Sequence, residues 1–268
     1  MDRQANKARS FQELHRAEPF VIPNPWDAGS ARVLEGLGFK ALATTSSGFA
    51  FTLGRLDGNV TLDEVARHVA RLDAATDLPL SADLENGFGP APESASRAIT
   101  RVAESGAVGA SIEDYDPEGR LYDINHATER IAAAAEAATR LSFPFMLTAR
   151  AENHIRGNPD LDDTIARLKA YEDAGADVVY APGLANTADI ATVCEAVSKP
   201  VNVLALGSAS LAQLTRAGAQ RISVGGALTW VAVEALTDVA RKIRDSGDLS
   251  SLDAHAPPAA WLEASQSR

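Results

Sequence analysis

The chain has 268 residues, 46% of them hydrophobic, and its 25 Lys plus Arg against 36 Asp plus Glu give a formal net charge of −11. That length suits one large α/β barrel or two small domains, and the acidic balance argues against nucleic-acid and anionic-membrane partners, which need a basic surface. An anionic substrate is not excluded, because one bound cation or one arginine inverts the field locally. The single cysteine, Cys194, can form no intramolecular disulfide, and Met1–Ser10 lacks the apolar run of a signal peptide. No apolar run nears the ~18 residues of a membrane span. A cytoplasmic chain with no membrane partner is the expectation.

In chain order, a first helix is expected near Phe11–Ala17, packed under the rest. Eight short apolar runs suited to buried strands follow: Phe20–Pro23, Ala41–Thr45, Leu80–Ala82, Gly109–Ile112, Phe145–Ala149, Asp177–Tyr180, Val201–Ala205 and Arg221–Val224. Helical patterns separate them. Thr61 with Glu64 reads as a capping box ahead of Val65, Val69 and Leu72. Ile165, Leu168 and Tyr171 repeat the helical spacing, as do Ile190, Val193 and Val197. Gly38, Gly106, Gly175 and Gly218 stand where helices end, which predicts left-handed caps. After the eighth run, Leu228, Val231, Ala235, Leu236, Val239 and Ile243 mark a long helix.

Strand–helix alternation predicts a parallel sheet, and eight units predict closure into a single (β/α)8 TIM-type barrel. Residues 1–245 are assigned to the barrel and its N-terminal helix. Residues 246–268 form a Ser-, Ala- and Pro-rich tail, packed on the barrel or on a neighbouring subunit through Trp261 and Leu262.

In such barrels the chemistry sits at the C-terminal ends of the strands. Those positions carry Thr45-Ser46-Ser47-Gly48-Phe49 and then Asp57 after the second run, and Asp83-Leu84-Glu85-Asn86-Gly87 after the third. Glu113 and Asp114 follow the fourth run, and Arg150 and Glu152 the fifth. Asp83, Glu85 and Glu113, joined by Asp57, are expected to converge at one mouth. Crowded carboxylates repel unless a cation or protons compensate, and oxygen donors without His or Cys favour a hard ion such as Mg²⁺. Arg150 beside them can clamp an anionic substrate. Taken singly, each acid could equally be a helix cap or a solvated residue.

These strings resemble the isocitrate lyase and phosphoenolpyruvate mutase superfamily over about Phe20 to Arg244. The resemblance rests on Pro23-Asn24-Pro25-Trp26-Asp27, Ser46-Ser47-Gly48, Leu53-Gly54-Arg55-Leu56-Asp57, Ala82-Asp83-Leu84-Glu85-Asn86-Gly87-Phe88-Gly89, Ser111-Ile112-Glu113-Asp114 and Thr148-Ala149-Arg150. It implies a Mg²⁺-dependent enzyme, with Mn²⁺ as an alternative ion, that cleaves a C–C or P–C bond in a small carboxylic acid through an enolpyruvate-like intermediate. It also implies that Asp83 is the principal metal ligand, with Glu85, Glu113 and Asp57 supporting the ion largely through water. Backbone N–H groups around Ser47, Gly48 and Phe49 would hold the substrate carboxylate, and Arg150 would face the departing or transferred group. A homotetramer that exchanges the helix after the eighth strand is the implied assembly. That helix would equally suit packing on its own barrel.

The chain departs from isocitrate and methylisocitrate lyases at two places. The loop after the fourth run, Tyr115-Asp116-Pro117-Glu118-Gly119-Arg120-Leu121-Tyr122-Asp123, has no cysteine, lysine or histidine, and Cys194 lies elsewhere. Ala181-Pro182-Gly183 stands where those lyases carry a glutamate. A smaller substrate follows, an oxaloacetate-like 2-oxo or 2-hydroxy dicarboxylate cleaved by a lyase or decarboxylase. Phosphonopyruvate hydrolysis or mutation is the second reading, and a catalytically weak 2-oxo-acid-binding protein the third. A Schiff-base aldolase is disfavoured, because Lys40, Lys169 and Lys199 precede strands or lie on helices. Among weaker candidates, Asn202 either touches substrate or satisfies a buried group, Arg120 and Tyr122 either reach the site or face solvent, and His154 is an acid–base group or a solvated loop residue. Gly225-Gly226 either cradles an anion or permits close packing.

Overall fold

The computed structural model describes residues 3–207, 209–252, 257 and 259–266. Eight parallel strands form its centre: β1 (Phe20–Ile22), β2 (Leu42–Ala43), β3 (Leu80–Asp83), β4 (Gly109–Glu113), β5 (Met146–Arg150), β6 (Val178–Tyr180), β7 (Val201–Leu204) and β8 (Arg221–Ser223). Each of the eight apolar runs coincides with one strand, and β3, β4 and β5 extend one residue past their runs, to Asp83, Glu113 and Arg150. Pairing runs in sequence order from β2 to β8, and β8 then pairs with β1. The remaining gap is bridged where the Ala43 N–H donates to the Pro23 carbonyl at 3.1 Å and Asn24 Nδ2 donates to the Thr44 carbonyl at 3.0 Å. The ring is thereby nearly closed, a (β/α)8 barrel.

Helices surround it: α1 (Arg3–Leu14), α2 (Ala28–Gly36), α3 (Ser46–Thr52), α4 (Leu62–Ala75), α5 (Pro92–Ala103), α6 (Ile124–Thr139), α7 (Leu161–Asp173), α8 (Thr187–Ala196), α9 (Leu211–Arg216), α10 (Ala227–Ser246) and α11 (Ala259–Gln266). Thr61 and Glu64 form the capping box of α4, each side chain accepting from the other's backbone N–H. The four junction glycines have φ between 86° and 105°, a region that favours glycine. At Gly218 an added Cβ would lie 2.7 Å from Cys194 Cβ. Cys194 is thus a packing residue, and burial pushes its thiol up to about 11.

Two local elements depart from the sequence reading. The first helix covers Arg3–Leu14 rather than residues 11–17. Its buried face is only Lys7, Ala8 and Phe11, too sparse to show as an apolar period. Tertiary contacts hold it instead: Lys7 Nζ donates to Asp73 Oδ1 at 2.7 Å and to the Thr76 carbonyl at 2.8 Å. The loop after β4 folds into a small antiparallel hairpin, Tyr115–Asp116 against Arg120–Leu121, whose strands are too short to carry an alternating pattern.

The floor of the barrel is closed by α1. Phe11 is fully buried against the strand starts, and a Cβ at Gly109 would sit 2.8 Å from the Phe11 ring. Above it Arg221 is buried and donates to Asn202 Oδ1 (2.8 Å), Thr148 Oγ1 (2.8 Å) and His15 Nε2 (3.1 Å). Accepting there leaves His15 Nδ1–H to donate to the Phe11 carbonyl at 2.8 Å, which fixes a neutral ring. Helix α10 behaves differently. Only Thr229 on it is buried, and Trp230, Val231 and Leu236 are exposed. The tail returns, and α11 packs against α2.

Burial, and then the Arg221 charge, lower His15 from 6.5 to about 3. In that window the unfolded chain binds a proton that the folded chain refuses. Stability should therefore fall as pH drops below 6.5, by up to about 1.4 kcal/mol per pH unit until about pH 3. Urea unfolding across that range, compared with His15→Gln, checks this: the variant should lose most of one proton's worth of slope, and an unchanged slope refutes a neutral buried His15.

Candidate active site

The mouth of the barrel is organised by the turn after β3. Asp83 ends the strand, and its N–H donates to Thr44 Oγ1 at 2.7 Å. Its carboxylate accepts from the Ser46 N–H (3.2 Å), the Glu85 N–H (3.3 Å) and the Ser111 hydroxyl (3.5 Å). The chain then takes left-handed conformations at Glu85 (φ 49°), Gly87 (φ 77°) and Phe88 (φ 60°). For Glu85 and Phe88 this is a strained backbone of the kind that clusters at functional sites. The turn persists because its polar groups are tied elsewhere. The Glu113 N–H donates to the Glu85 carbonyl at 2.9 Å, and Asn86 Nδ2 donates to the Tyr122 hydroxyl at 3.1 Å. From α6 the fully buried Arg130 donates to the carbonyls of Asn86, Gly89 (3.1 Å) and Glu113 (3.1 Å).

The register of β4 with β5 sets Glu113 opposite Arg150. Arg150 pairs with Glu113 at 3.5 Å and with Glu152, and lies 5.3 Å from the centre of the Tyr180 ring. Arg156 reaches the same two acids, Glu152 at 2.9 Å and Glu113 at 3.7 Å, while stacking over Tyr115 of the hairpin at 4.0 Å. Below, buried Asp114 accepts from the Glu152 N–H (2.8 Å), Arg167 (3.0 Å) and the Tyr171 hydroxyl (2.6 Å). Asp114 therefore anchors the β5 loop that carries Glu152. Burial opposes the charge on Arg150, but Glu113 and Glu152 more than offset it and hold its pKa above the ordinary value. Burial pushes Glu113 well above the carboxylate range, against the pull of Arg150. Burial, then Asp83 and Asp57, raise Glu85 to about 8.

A cavity of about 400 Å³ is lined by Asp57, Glu85, Glu113, Arg150 and Arg156, with Ser46 at its edge. Asp83 and Arg150 also line a narrow inner cavity of about 60 Å³ that reaches Asn202 and Arg221. Asp57, Glu85 and Glu113 thus share the outer cavity, Asp83 lines the inner one, and Arg150 lines both. Ser47 and Gly48 lie in the first turn of α3, where the Gly48 N–H donates to the capping Thr45 Oγ1 at 3.4 Å. Phe49 is committed otherwise: its N–H donates to the Thr45 carbonyl at 3.0 Å, and its ring stacks on His68 at 4.1 Å. Asn202 uses both polar ends inside the protein, donating to Ser223 Oγ and accepting from Arg221.

The weaker candidates separate. Tyr122 is buried beside Asn86, whereas Arg120 is exposed and pairs with Glu118 at 2.6 Å. His154 Nε2 is buried without a partner among the described residues, and His154 lines neither of the two cavities just described. At Gly225 the N–H is already taken by Asn24 Oδ1 at 2.9 Å, and a Cβ at Gly226 would meet Ser47 Oγ at 2.4 Å. That pair serves close packing. Glu152, Arg156, Arg130 and the anchoring part of Asp114 are not assigned from sequence. Glu152 follows Arg150 at a strand end, which was the available signal; the arginines lie on a loop and on a helix outside the strand-end pattern.

Among the described residues no group of three or more acidic, His or Cys side chains is placed to hold a metal ion by itself. The donors nevertheless fit a hydrated hard cation. They are oxygen atoms alone, and Glu85 Oε1 is buried with no hydrogen-bond partner among the described residues. Mg²⁺ keeps several waters and needs only one or two protein carboxylates directly.

The family model for phosphoenolpyruvate phosphomutase matches residues 11–244. A solved structure from Burkholderia cenocepacia, assigned only broadly as a lyase/mutase, is 49% identical, with a TM-score of 0.94 over 98% of this chain and 96% of that one. Oxaloacetate decarboxylase of Paraburkholderia xenovorans is 31% identical over 257 residues, covering 91% of this chain and 84% of that protein. Phosphonopyruvate hydrolase, solved with oxalate and Mg²⁺, shares the fold, with a TM-score of 0.84 and 21% identity over 97% of this chain and 94% of that one. The chain belongs to the phosphoenolpyruvate mutase family, within the isocitrate lyase and phosphoenolpyruvate mutase superfamily of lyases, mutases and hydrolases.

Proposed function

We propose that the chain is a Mg²⁺-dependent lyase or decarboxylase that cleaves a C–C bond in an oxaloacetate-like 2-oxo or 2-hydroxy dicarboxylate through an enolate. The observation that carries this reading is the shared mouth, with the unpartnered oxygen of Glu85 beside Asp83 and Arg150 across the same cavity. Asp83 would hold the ion directly, with Glu85, Glu113 and Asp57 supporting it through water; Mn²⁺ can take the same oxygen donors. Such a cation supplies positive charge to an enolate as it develops.

The remaining work belongs to the chain. The Ser47 N–H at the start of α3 is suited to the substrate carboxylate, with Gly48, whose N–H donates to Thr45 Oγ1 at 3.4 Å, and Phe49 bracing that turn. Arg150 is kept charged by Glu113 and Glu152 and faces the departing carboxylate. In a decarboxylation the C3–C4 bond breaks, its electron pair enters the enolate, CO₂ leaves, and C3 takes a proton. Asn202 forms the floor beneath.

The second reading is P–C cleavage, with Arg150 against phosphoryl oxygens. The matched family model and the shared fold of phosphonopyruvate hydrolase favour it. Oxaloacetate, malate-type acids and phosphonopyruvate, each assayed with and without Mg²⁺, separate the readings. Pyruvate or glyoxylate from the carbon acids supports the first, and phosphate from phosphonopyruvate supports the second. Thermal stabilisation across the panel with no product supports a binding protein. Asp83→Ala should lower turnover at least about 100-fold, the scale of losing one preorganised electrostatic group; unchanged turnover removes the metal assignment.

With Glu85 raised to about 8, binding of the cation displaces a proton. Apparent Mg²⁺ affinity should climb with pH, by at most about tenfold per unit, and level off above about 8. Calorimetry in buffers of different ionisation enthalpy reports the released proton directly, and Glu85→Gln should lower it by the share that Glu85 contributes.

The reading extends to assembly. An α10 that exposes Trp230, Val231 and Leu236 suits a second copy of the chain, as in a homotetramer with α10 exchanged. Light scattering of the double variant Trp230→Asp, Leu236→Asp should show a smaller particle than wild type. An unchanged mass counts against the exchange.

A further inference from the structure

Beside the mouth lies a larger chamber of about 750 Å³. It joins the mouth along a common wall of Gly58, Glu85, Asn86 and Pro117, which line both spaces. The mouth alone already offers about 400 Å³, within the ordinary range for a small-molecule site. A four-carbon acid held at Asp83 and Arg150 therefore leaves the chamber unfilled. Its position follows from the strained turn: Phe88 stands just beyond Glu85 and Gly87, and forms one wall.

The chemistry of the walls decides what the chamber accepts. Val60, Leu62, Phe88, Pro90, Pro117 and Tyr122 contribute apolar surface. Its charges are largely spent. Arg101 is paired with Asp63 at 3.1 Å, and Asp116 and Glu118 share Arg120 at 3.8 Å and 2.6 Å. Only Arg97 adds a guanidinium without an ion pair among the described residues, and it stands on the exposed rim of α5. A carboxylate carried inward would meet Glu85, Asp116 and Glu118 with no buried cation to receive it.

We propose that this chamber is a subsite for an uncharged, hydrophobic substituent on carbon 3, so that the preferred substrates are larger than oxaloacetate without being more acidic. The inference rests on the C–C-cleaving reading above. For a 3-alkyl oxaloacetate the C3–C4 bond breaks, its electron pair becomes the enolate, CO₂ departs, and C3 accepts a proton from solvent, giving the chain-extended 2-oxo acid. The substituent stays on C3 throughout, against Phe88 and Leu62.

The test is a chain-length series assayed with the full chain and Mg²⁺: oxaloacetate, its 3-methyl, 3-propyl and 3-pentyl derivatives, and a 3-carboxyalkyl derivative as long as the pentyl. kcat/KM should rise about fourfold per methylene buried, and the carboxylate-tipped arm should fall at least about tenfold below the methyl-tipped one. Val60→Trp or, independently, Leu62→Trp should bring the pentyl-to-methyl ratio near one. A flat series, a preference for the charged arm, or a ratio unchanged in both variants overturns the subsite. Calorimetric binding of pentyl-substituted malate against malate separates the two levels of argument. Absent turnover with a length-dependent Kd that the Trp variants erase refutes only the reaction; equal Kd values refute the chamber.

Discussion

Carboxylates on neighbouring strand ends repel one another, and the register of the barrel supplies their compensation. Parallel pairing places Ser111 beside Asp83 and Arg150 beside Glu113. The same ladder that collects the acids therefore brings a guanidinium to the adjacent strand. Arg156 adds a second from the loop. Without that positive charge, burying Glu113 and Glu152 would be prohibitive, because an isolated buried carboxylate loses its hydration with nothing in return. With it, the mouth carries an acidic half around Asp83, Glu85 and Asp57 and a basic half around Arg150 and Arg156. That polarity is what an anionic substrate bridged to a cation requires.

The second constraint is backbone strain. Left-handed conformations at Glu85 and Phe88 cost on the order of 1 kcal/mol or more each. Arg130 offsets this by donating to three carbonyls of the turn and its neighbour strand. Buried carbonyls left unpaired would cost about 1–3 kcal/mol each. Tyr122 lies 4.5 Å under the guanidinium and also receives Asn86, so the turn, α6 and the end of the hairpin loop form one unit. The stiffness of that unit aims Glu85 toward the mouth and Phe88 toward the outer chamber.

Much of this was legible in the sequence, and for a consistent reason. The eight strands, the glycine caps and the Thr61–Glu64 box are written in local periods and in single-residue backbone demands. Asp83, Glu85, Glu113 and Arg150 stand immediately at strand ends, so strand placement alone finds them. What was hidden depends on contacts remote in sequence. Arg130 sits within a helix whose pattern, Ile124–Thr139, gives no sign that a guanidinium points inward. Helix α1 owes its place to Asp73 and Thr76 rather than to its own apolar face. Asp114 looked like a cap or solvated acid, and proved to hold the backbone of Glu152. The amide of Phe49 stands beside those suited to a carboxylate in the sequence, yet helix formation from Thr45 consumes it.

The two departures from the lyases of tricarboxylic acids acquire a physical meaning in this setting. Ala181-Pro182-Gly183 is a packed turn: Gly183 has φ 96°, and a Cβ there would lie 2.7 Å from the Ile155 amide nitrogen. The β6 end thus braces the β5 loop, and that place brings no carboxylate to the mouth. The hairpin after β4 likewise carries Pro117 and Tyr115 to the cavity wall. Neither place brings a thiol or an unpaired acid to the mouth, because Asp116 and Glu118 of the hairpin pair with Arg120. The groups that would steady an enolate are untouched. A barrel can vary one half without the other because the two are borne on different loops of a common rim. Here the outer half sets Val60, Leu62, Phe88 and Tyr122 among acids and arginines, most of which are paired with one another.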